Sequence, residues 1–170
     1  KQQIISISDY KNMIIKKTGA LMTLAFQLPC IVSEQNEENI KQLRKLGIIF
    51  GILFQISDDI LGIWGNPIKT GKSNYSDLKN NKKTYPVLLC MKKINEKDKI
   101  LFNNLLSNLN NKSYLAIIEI LEKYKIKSHI QKECNTYLDE AIELTSKSNL
   151  TKESKSNIIE LFKYVTERTK

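Results

Sequence analysis

Arginine is nearly missing from this sequence: only Arg44 and Arg168 occur, although lysine carries the formal net charge to +9 over 170 residues. A positive surplus invites a polyanionic partner. Base-edge reading and bidentate phosphate contacts favour arginine, however, and single-strand platforms need exposed aromatics beside it. Lysines scattered along the chain make neither pattern, so a nucleic-acid partner is not expected. Histidine is scarcer still. His129 stands alone, with no second histidine or cysteine at ligand spacing, and reads as structural or exposed. Cys30, Cys90 and Cys134 are odd in number, far apart and without a CxxC pair, which argues for reduced thiols in an intracellular, cytoplasmic protein. The first ten residues have no apolar segment or cleavage site of a secretory signal, and the chain opens at Lys1 as if entered mid-protein.

Period-two alternation is also lacking, as is any repeat of fixed period. What remains is helical patterning, long enough for one domain with a real core, and the expected fold is an all-α single domain over 1–170. Ser8-Asp9 suggests the start of a helix that Pro29 ends or kinks after Leu28. Tyr10, Met13, Ile14, Leu21 and Leu24 share one face of it, with Lys17 in their midst; that lysine either snorkels to water or reaches inward. Asn36-Glu37-Glu38 opens a second helix with acidic residues at its positive end. It runs to Trp64 and is stopped by Gly65-Asn66-Pro67. A lysine-rich loop follows over residues 66–83, and a loop of this length in a helical domain is usually functional or disordered. Further helices are expected at 84–94, 96–108, 113–126, 128–147 and 151–168, with Tyr114, Ile117, Ile118, Leu121, Tyr124, Ile158, Leu161, Phe162 and Val165 as packing residues.

The chain is organised around Gly47–Trp64, GIIFGILFQISDDILGIW. On a helix, Gly51, Gln55, Asp58, Asp59 and Gly62 fall within a sector of roughly 100°, and apolar side chains take most of the remaining circumference. The run approaches membrane-spanning length, but an aspartate pair at its centre would cost several kcal/mol in lipid, so no membrane span is expected. Two adjacent carboxylates in an apolar rod suffer desolvation and mutual repulsion unless a cation meets them. The stripe therefore points to an internal polar cavity holding a hard cation, with the glycines giving room.

FQISDDILGIWGNPIKTGK followed by SDLKNNKKTYPVLL resembles the second aspartate-rich region of the trans-isoprenyl diphosphate synthases, the polyprenyl synthetase family. DYKNMIIKKTGAL resembles the helix that precedes that region in the same family. Four motifs in the right order, over roughly residues 6–92, carry the likeness. It implies the C-terminal portion of the isoprenoid synthase helical bundle. It implies a Mg2+-dependent prenyltransferase that ionises an allylic prenyl diphosphate and adds isopentenyl diphosphate. On this likeness Asp58 ligates magnesium and Asp59 supports it, Gln55 sits near the reacting carbons or the diphosphate, Lys17, Lys72 and Lys82 contact the diphosphate, and Thr18 lines that site.

Two things are missing from the family pattern. Gly62 stands where the motif has its third aspartate. The first DDxxD motif, which faces this helix across two magnesium ions, is absent from these 170 residues. The resemblance thus implies the C-terminal half of a synthase, inactive by itself, working as a homodimer or with a complementary N-terminal half. A class I terpene cyclase of the same fold and a non-catalytic subunit of a two-chain synthase are the competing readings.

Overall fold

The structure, a computed structural model, describes residues 5–67, 71, 75–80 and 82–168. Helices account for its regular structure, and the described residues contain no strand. Helix α1 (Ile7–Ile14) passes through a π-helical turn (Ile15–Gly19) into α2 (Ala20–Val32). The long α3 (Glu37–Trp64) is followed by a short α4 (Ser76–Lys79), then α5 (Tyr85–Lys93), α6 (Glu96–Ser107), α7 (Asn111–Lys123), α8 (Ile126–Lys147) and α9 (Lys152–Glu167).

Local chemistry explains most of the boundaries. Ser6, rather than the expected Ser8, caps α1: its hydroxyl accepts from the Asp9 N–H at 3.0 Å, and Asp9 accepts in return from the Ser6 N–H at 3.1 Å. The reciprocal pair satisfies two orphan donors, and position 8 leaves no room for that geometry inside the first turn. Pro29 does not end α2. The helix runs on to Val32, because a proline so near a C-terminus sacrifices a single ladder bond while its own carbonyl still accepts from the Ser33 N–H at 3.0 Å. Asn36 starts α3 as expected, accepting from Asn39 N–H at 2.9 Å. Part of the 66–83 segment is the helix α4, entered through Tyr75 at φ 57°.

The chain divides into two compact units, one of Lys1–Tyr10 with Asp58–Gln131 and the other of Lys11–Ser57 with Lys132–Lys170. In the first, Ile60 and Ile63 of α3, Leu78 of α4, Tyr85 to Cys90 of α5, Phe102, Ile117, Leu121, Ile126 and Ile130 are buried. Burying such side chains is the main stabilising term, about 1.5 to 3 kcal/mol for each large one. Asn110 and Ser113 form a reciprocal capping box at the start of α7, and Asp98 of α6 accepts from Lys123 and Tyr124 at 2.6 Å each.

In the second unit α2 and α3 pack backbone against backbone. A Cβ on Gly47 would lie 2.5 Å from Thr23 Cα, and one on Gly51 would lie 2.6 Å from Gly19 Cα. Phe26, Phe50 and Phe162 meet at ring-centroid distances of 5.4 to 6.0 Å, within the range of favourable aromatic pairs. Ser57 donates to the Val165 carbonyl at 3.0 Å and ties α3 to α9. The apolar face expected on α1 and α2 divides in two. Tyr10 and Ile14 are buried, whereas Met13, Leu21, Leu24, Leu28, Ile31 and Val32 are exposed. Leu161, expected to pack, is exposed as well. The helical period correctly groups these residues on a face but cannot tell which face has a neighbour.

Candidate functional site

The two aspartates of α3 have different surroundings. Asp59 is buried, and its Oδ2 accepts both the Tyr10 hydroxyl and the Tyr85 backbone N–H, the latter at 2.7 Å. The second bond caps α5. Thr84 occupies the N-cap position there without a side-chain bond, and its buried hydroxyl has no hydrogen-bond partner among the described residues. Burial, reinforced by the Asp59 charge, pushes the Tyr10 phenol far above its ordinary range, so it stays a donor. Asp58, one residue earlier, is only half-buried.

Position 62, one turn beyond Asp58, is a glycine whose absent side chain leaves room for a carboxylate from elsewhere. A Cβ there would lie 2.1 Å from Oδ2 of Asp77. Asp77 opens α4 and is buried; its Oδ1 accepts from Lys82 Nζ at 2.8 Å, and its carbonyl accepts from the Lys82 N–H at 3.0 Å. Lys82 itself is more than half exposed, at 56%. Its ammonium is held above the ordinary lysine pKa first by the Asp77 bond and then by the charges of Asp77, Asp58 and Asp59, with desolvation opposing them. Lys72 lies outside the described residues.

In the other unit Lys17 and Thr18 sit on the π-helical turn Ile15–Gly19. Such a turn carries one extra residue per hydrogen-bonded ring and rotates the side chains that follow; π turns inside α-helices are frequent at functional sites. Lys17 is exposed, and Thr18 is half-buried with its hydroxyl 3.4 Å from Gln55 Oε1. That contact is at the long end for a hydrogen bond. The sequence pattern groups Lys17 with Tyr10 and Ile14 on one face, and the extra residue of the π turn is invisible in it.

The chemistry of these donors suits a particular kind of metal. Among the described residues no group of three His, Cys, Asp or Glu side chains converges to hold an ion unaided. A closed structural site would need such a set. Magnesium, in contrast, is usually bound through one or two carboxylates, keeps several waters and takes phosphate oxygens as its other ligands. Asp58 fits such an ion. Asp59, with one oxygen committed to Tyr10 and Tyr85, fits a supporting place behind it. Two residues were not singled out by sequence reasoning. Asp77 carries the signal of a motif aspartate five residues ahead of Lys82, and Tyr10 that of the tyrosine opening the upstream motif.

The pattern of the polyprenyl synthetase family matches residues 1–123. The chain belongs to the polyprenyl synthetase family. It is 39% identical over 94 residues to the geranylfarnesyl diphosphate synthase of Aeropyrum pernix, covering 55% of this chain and 30% of that protein. It is 34% identical over 119 residues to the short chain isoprenyl diphosphate synthase of Methanocaldococcus jannaschii, covering 69% of this chain and 36% of the relative. Among solved structures, the geranylgeranyl pyrophosphate synthetase of Pyrococcus horikoshii superposes with a TM-score of 0.86 at 29% identity, over 96% of this chain and 50% of that one. The heptaprenyl diphosphate synthase of Staphylococcus aureus gives 0.84 at 29% identity, over 99% and 52%. This member of the polyprenyl synthetase family therefore spans about half the length of the solved structures it matches, and about a third of its curated relatives. Its all-α architecture is the one expected of the family, and the described helices hold one segment long and apolar enough to cross a membrane, Glu37–Trp64, which is largely buried in the protein.

Proposed function

We propose that this chain supplies one half of the site of a magnesium-dependent trans-prenyltransferase, which joins an allylic prenyl diphosphate to isopentenyl diphosphate. The allylic carbon–oxygen bond breaks to leave a carbocation and pyrophosphate. The isopentenyl double bond attacks the cation, and a proton is lost from the adduct. The observation that carries the reading, in a chain of this family, is the division of labour within Asp58-Asp59: one carboxylate is locked into the fold and the other is half-buried beside it.

Asp58 would hold magnesium, which neutralises charge growing on the departing diphosphate. Asp59 would keep α3, α5 and Tyr10 in register behind it. Lys82, Lys72 and Lys17 would draw the diphosphate oxygens, Thr18 would add a hydroxyl, and Gln55 would lie near the reacting carbons. Lysine suits this role as a compact point charge on a flexible stem. The facing aspartates of a second motif are not in these 170 residues, so the reading needs a complementary segment to bring them. The exposed row of Met13, Leu21, Leu24, Leu28 and Ile31 supports that need, since an apolar helix face of this length is ordinarily covered.

Calorimetry of pyrophosphate binding in magnesium buffer tests the reading. The chain should bind, and Asp58→Asn should weaken binding at least tenfold, the loss of one charge-assisted ligand. Equal binding by the variant would remove Asp58 from the site. Turnover of both prenyl substrates by the 170-residue chain alone would overturn the half-site assignment.

A further inference from the structure

Gly62 looks like a defect in the aspartate motif, and the structure gives it a tenant. The Asp77 carboxylate occupies the volume that a side chain at position 62 would need: a Cβ built there would lie 2.1 Å from Oδ2, 2.5 Å from Cγ and 3.2 Å from Cβ of Asp77. An alanine there would force the carboxylate out of this position, so Asp77 keeps this seat against α3 only opposite a glycine. Once seated, Asp77 is 2% exposed. A carboxylate taken so far out of water needs a bonded cation. Lys82 provides one, its Nζ donating to Oδ1 at 2.8 Å, while its backbone N–H donates to the Asp77 backbone carbonyl at 3.0 Å. The two bonds fix both the ammonium and the start of that lysine's stem.

We propose that Gly62 is the seat of Asp77 and that Asp77 is a positioning residue for Lys82, holding its ammonium beside the Asp58-Asp59 turn of α3 where an incoming diphosphate collects it. The inference rests on the assignment of Lys82 as a diphosphate contact. The bond is buried at one end only: Asp77 is inside, and the Lys82 side chain is 56% exposed. An anion can therefore reach it without unfolding the loop. A flexible lysine loses rotamer freedom when it binds, and holding it in place beforehand lowers that cost. Returning position 62 to the family's aspartate should then harm the site. Two carboxylates would compete for one volume and repel each other, and Lys82 would follow whichever is expelled.

Two measurements on the 170-residue chain separate this inference from the function on which it rests. The first is the acylation rate of Lys82 by an amine-reactive reagent, followed by peptide mass spectrometry with Lys97 as the internal reference. Asp77→Asn and Gly62→Ala should each speed modification of Lys82 about tenfold, the scale of one charge-assisted hydrogen bond. Unchanged rates in both would overturn the seat. The second is pyrophosphate affinity in a double-mutant cycle. Asp77→Asn and Lys82→Ala should weaken binding to a similar extent, and Asp77→Asn should have no further effect in the Lys82→Ala background. Additive losses would show that Asp77 acts through the fold at large and not through Lys82. Gly62→Asp should bind more weakly than the parent, and a gain would overturn the proposal. Failure of the parent chain to bind pyrophosphate would refute the proposed function and the anchoring role together, while the acylation result would still decide the Gly62–Asp77 seat.

Discussion

The surroundings of Asp59 and those of Lys17 show two ways of carrying polar groups on an apolar helix. Asp59 is buried and tied into the fold, taking the Tyr10 hydroxyl and the Tyr85 N–H on one oxygen. Lys17 is exposed on a π turn, and its neighbour Thr18 makes only a 3.4 Å contact to Gln55. The first arrangement is paid for by the fold and cannot change without disturbing it. The second leaves its groups to be ordered by whatever binds. Preorganised groups contribute at the moment of reaction without reorganising, and loosely held ones contribute reach. A perturbation that strikes the fold in one place and only binding in the other would make the difference measurable.

Asp59→Ala should have the largest effect. It leaves the Tyr10 hydroxyl and the Tyr85 N–H buried without an acceptor, at about 3 to 5 kcal/mol for the two orphaned donors and the hole together. Denaturant unfolding should register that loss directly. Asp58→Asn, at a half-buried position and close to isosteric, should cost clearly less than Asp59→Ala. Similar losses from both would erase the distinction between a locked and a working carboxylate.

Alkaline pH should press on both units through buried thiols. Burial, with the Asp98 charge second, pushes Cys90 up to about 12 from 9.0. Burial, with Glu133 second and Lys11 opposing, does the same to Cys134. A folded-state pKa above the unfolded one means that the folded chain holds more protons between those values, so stability is intact below about pH 9 and falls as pH climbs toward 12. At pH 10.5 the loss amounts to roughly 2 kcal/mol for each thiol. Thermal unfolding from pH 7 to 10.5 should show this decline, and Cys90→Ala with Cys134→Ala should flatten it. An unflattened profile would assign the decline to other groups, such as Lys11, whose hydrogen bonds to Glu133 and Tyr137 hold its charge against burial.

Gly51→Ala comes next. The new methyl would meet Gly19 Cα at 2.6 Å, and backbone cannot swing aside as a side-chain tip can. Overpacking of this kind costs about 1 to 3 kcal/mol. The same substitution at Gly71, where a Cβ meets nothing within 4 Å among the described residues but φ is +66°, should cost about 1 kcal/mol through backbone strain. Denaturation midpoints for the pair would separate close packing from backbone conformation.

Much of this was legible in the sequence because helices are local. The stop after Trp64, the acidic start at Glu37 and the turn of the chain into Tyr85-Pro86 follow from capping residues and 3.6-residue periodicity. The stripe of Gly51, Gln55, Asp58, Asp59 and Gly62 was legible as a stripe. Its use was not, because what fills the space above a glycine is decided by another part of the chain: Gly19 at Gly51, Asp77 at Gly62. The glycines do give room, but the protein's own atoms take it. The split between Asp58 and Asp59 was hidden for the same reason, since Tyr10 lies 49 positions away in the chain. The exposure of the α2 leucines could not be read, because periodicity marks a face and says nothing about its cover.

Lys17→Ala should be the smallest perturbation to the fold and the most informative for the contrast. The side chain is exposed, and substitutions at such positions usually stay within about 0.5 kcal/mol. Alanine also raises local helix propensity, which offsets part of any loss. If Lys17 is a loosely held diphosphate contact, pyrophosphate affinity should fall severalfold at low salt and the loss should shrink as salt is added, since an exposed charge is screened over about 10 Å at 0.1 M ionic strength. For Lys82, tied to buried Asp77, the corresponding loss should persist further into high salt. Identical salt slopes for Lys17→Ala and Lys82→Ala would mean that the two lysines meet the anion in the same way, and that the contrast between the regions ends once the ligand arrives.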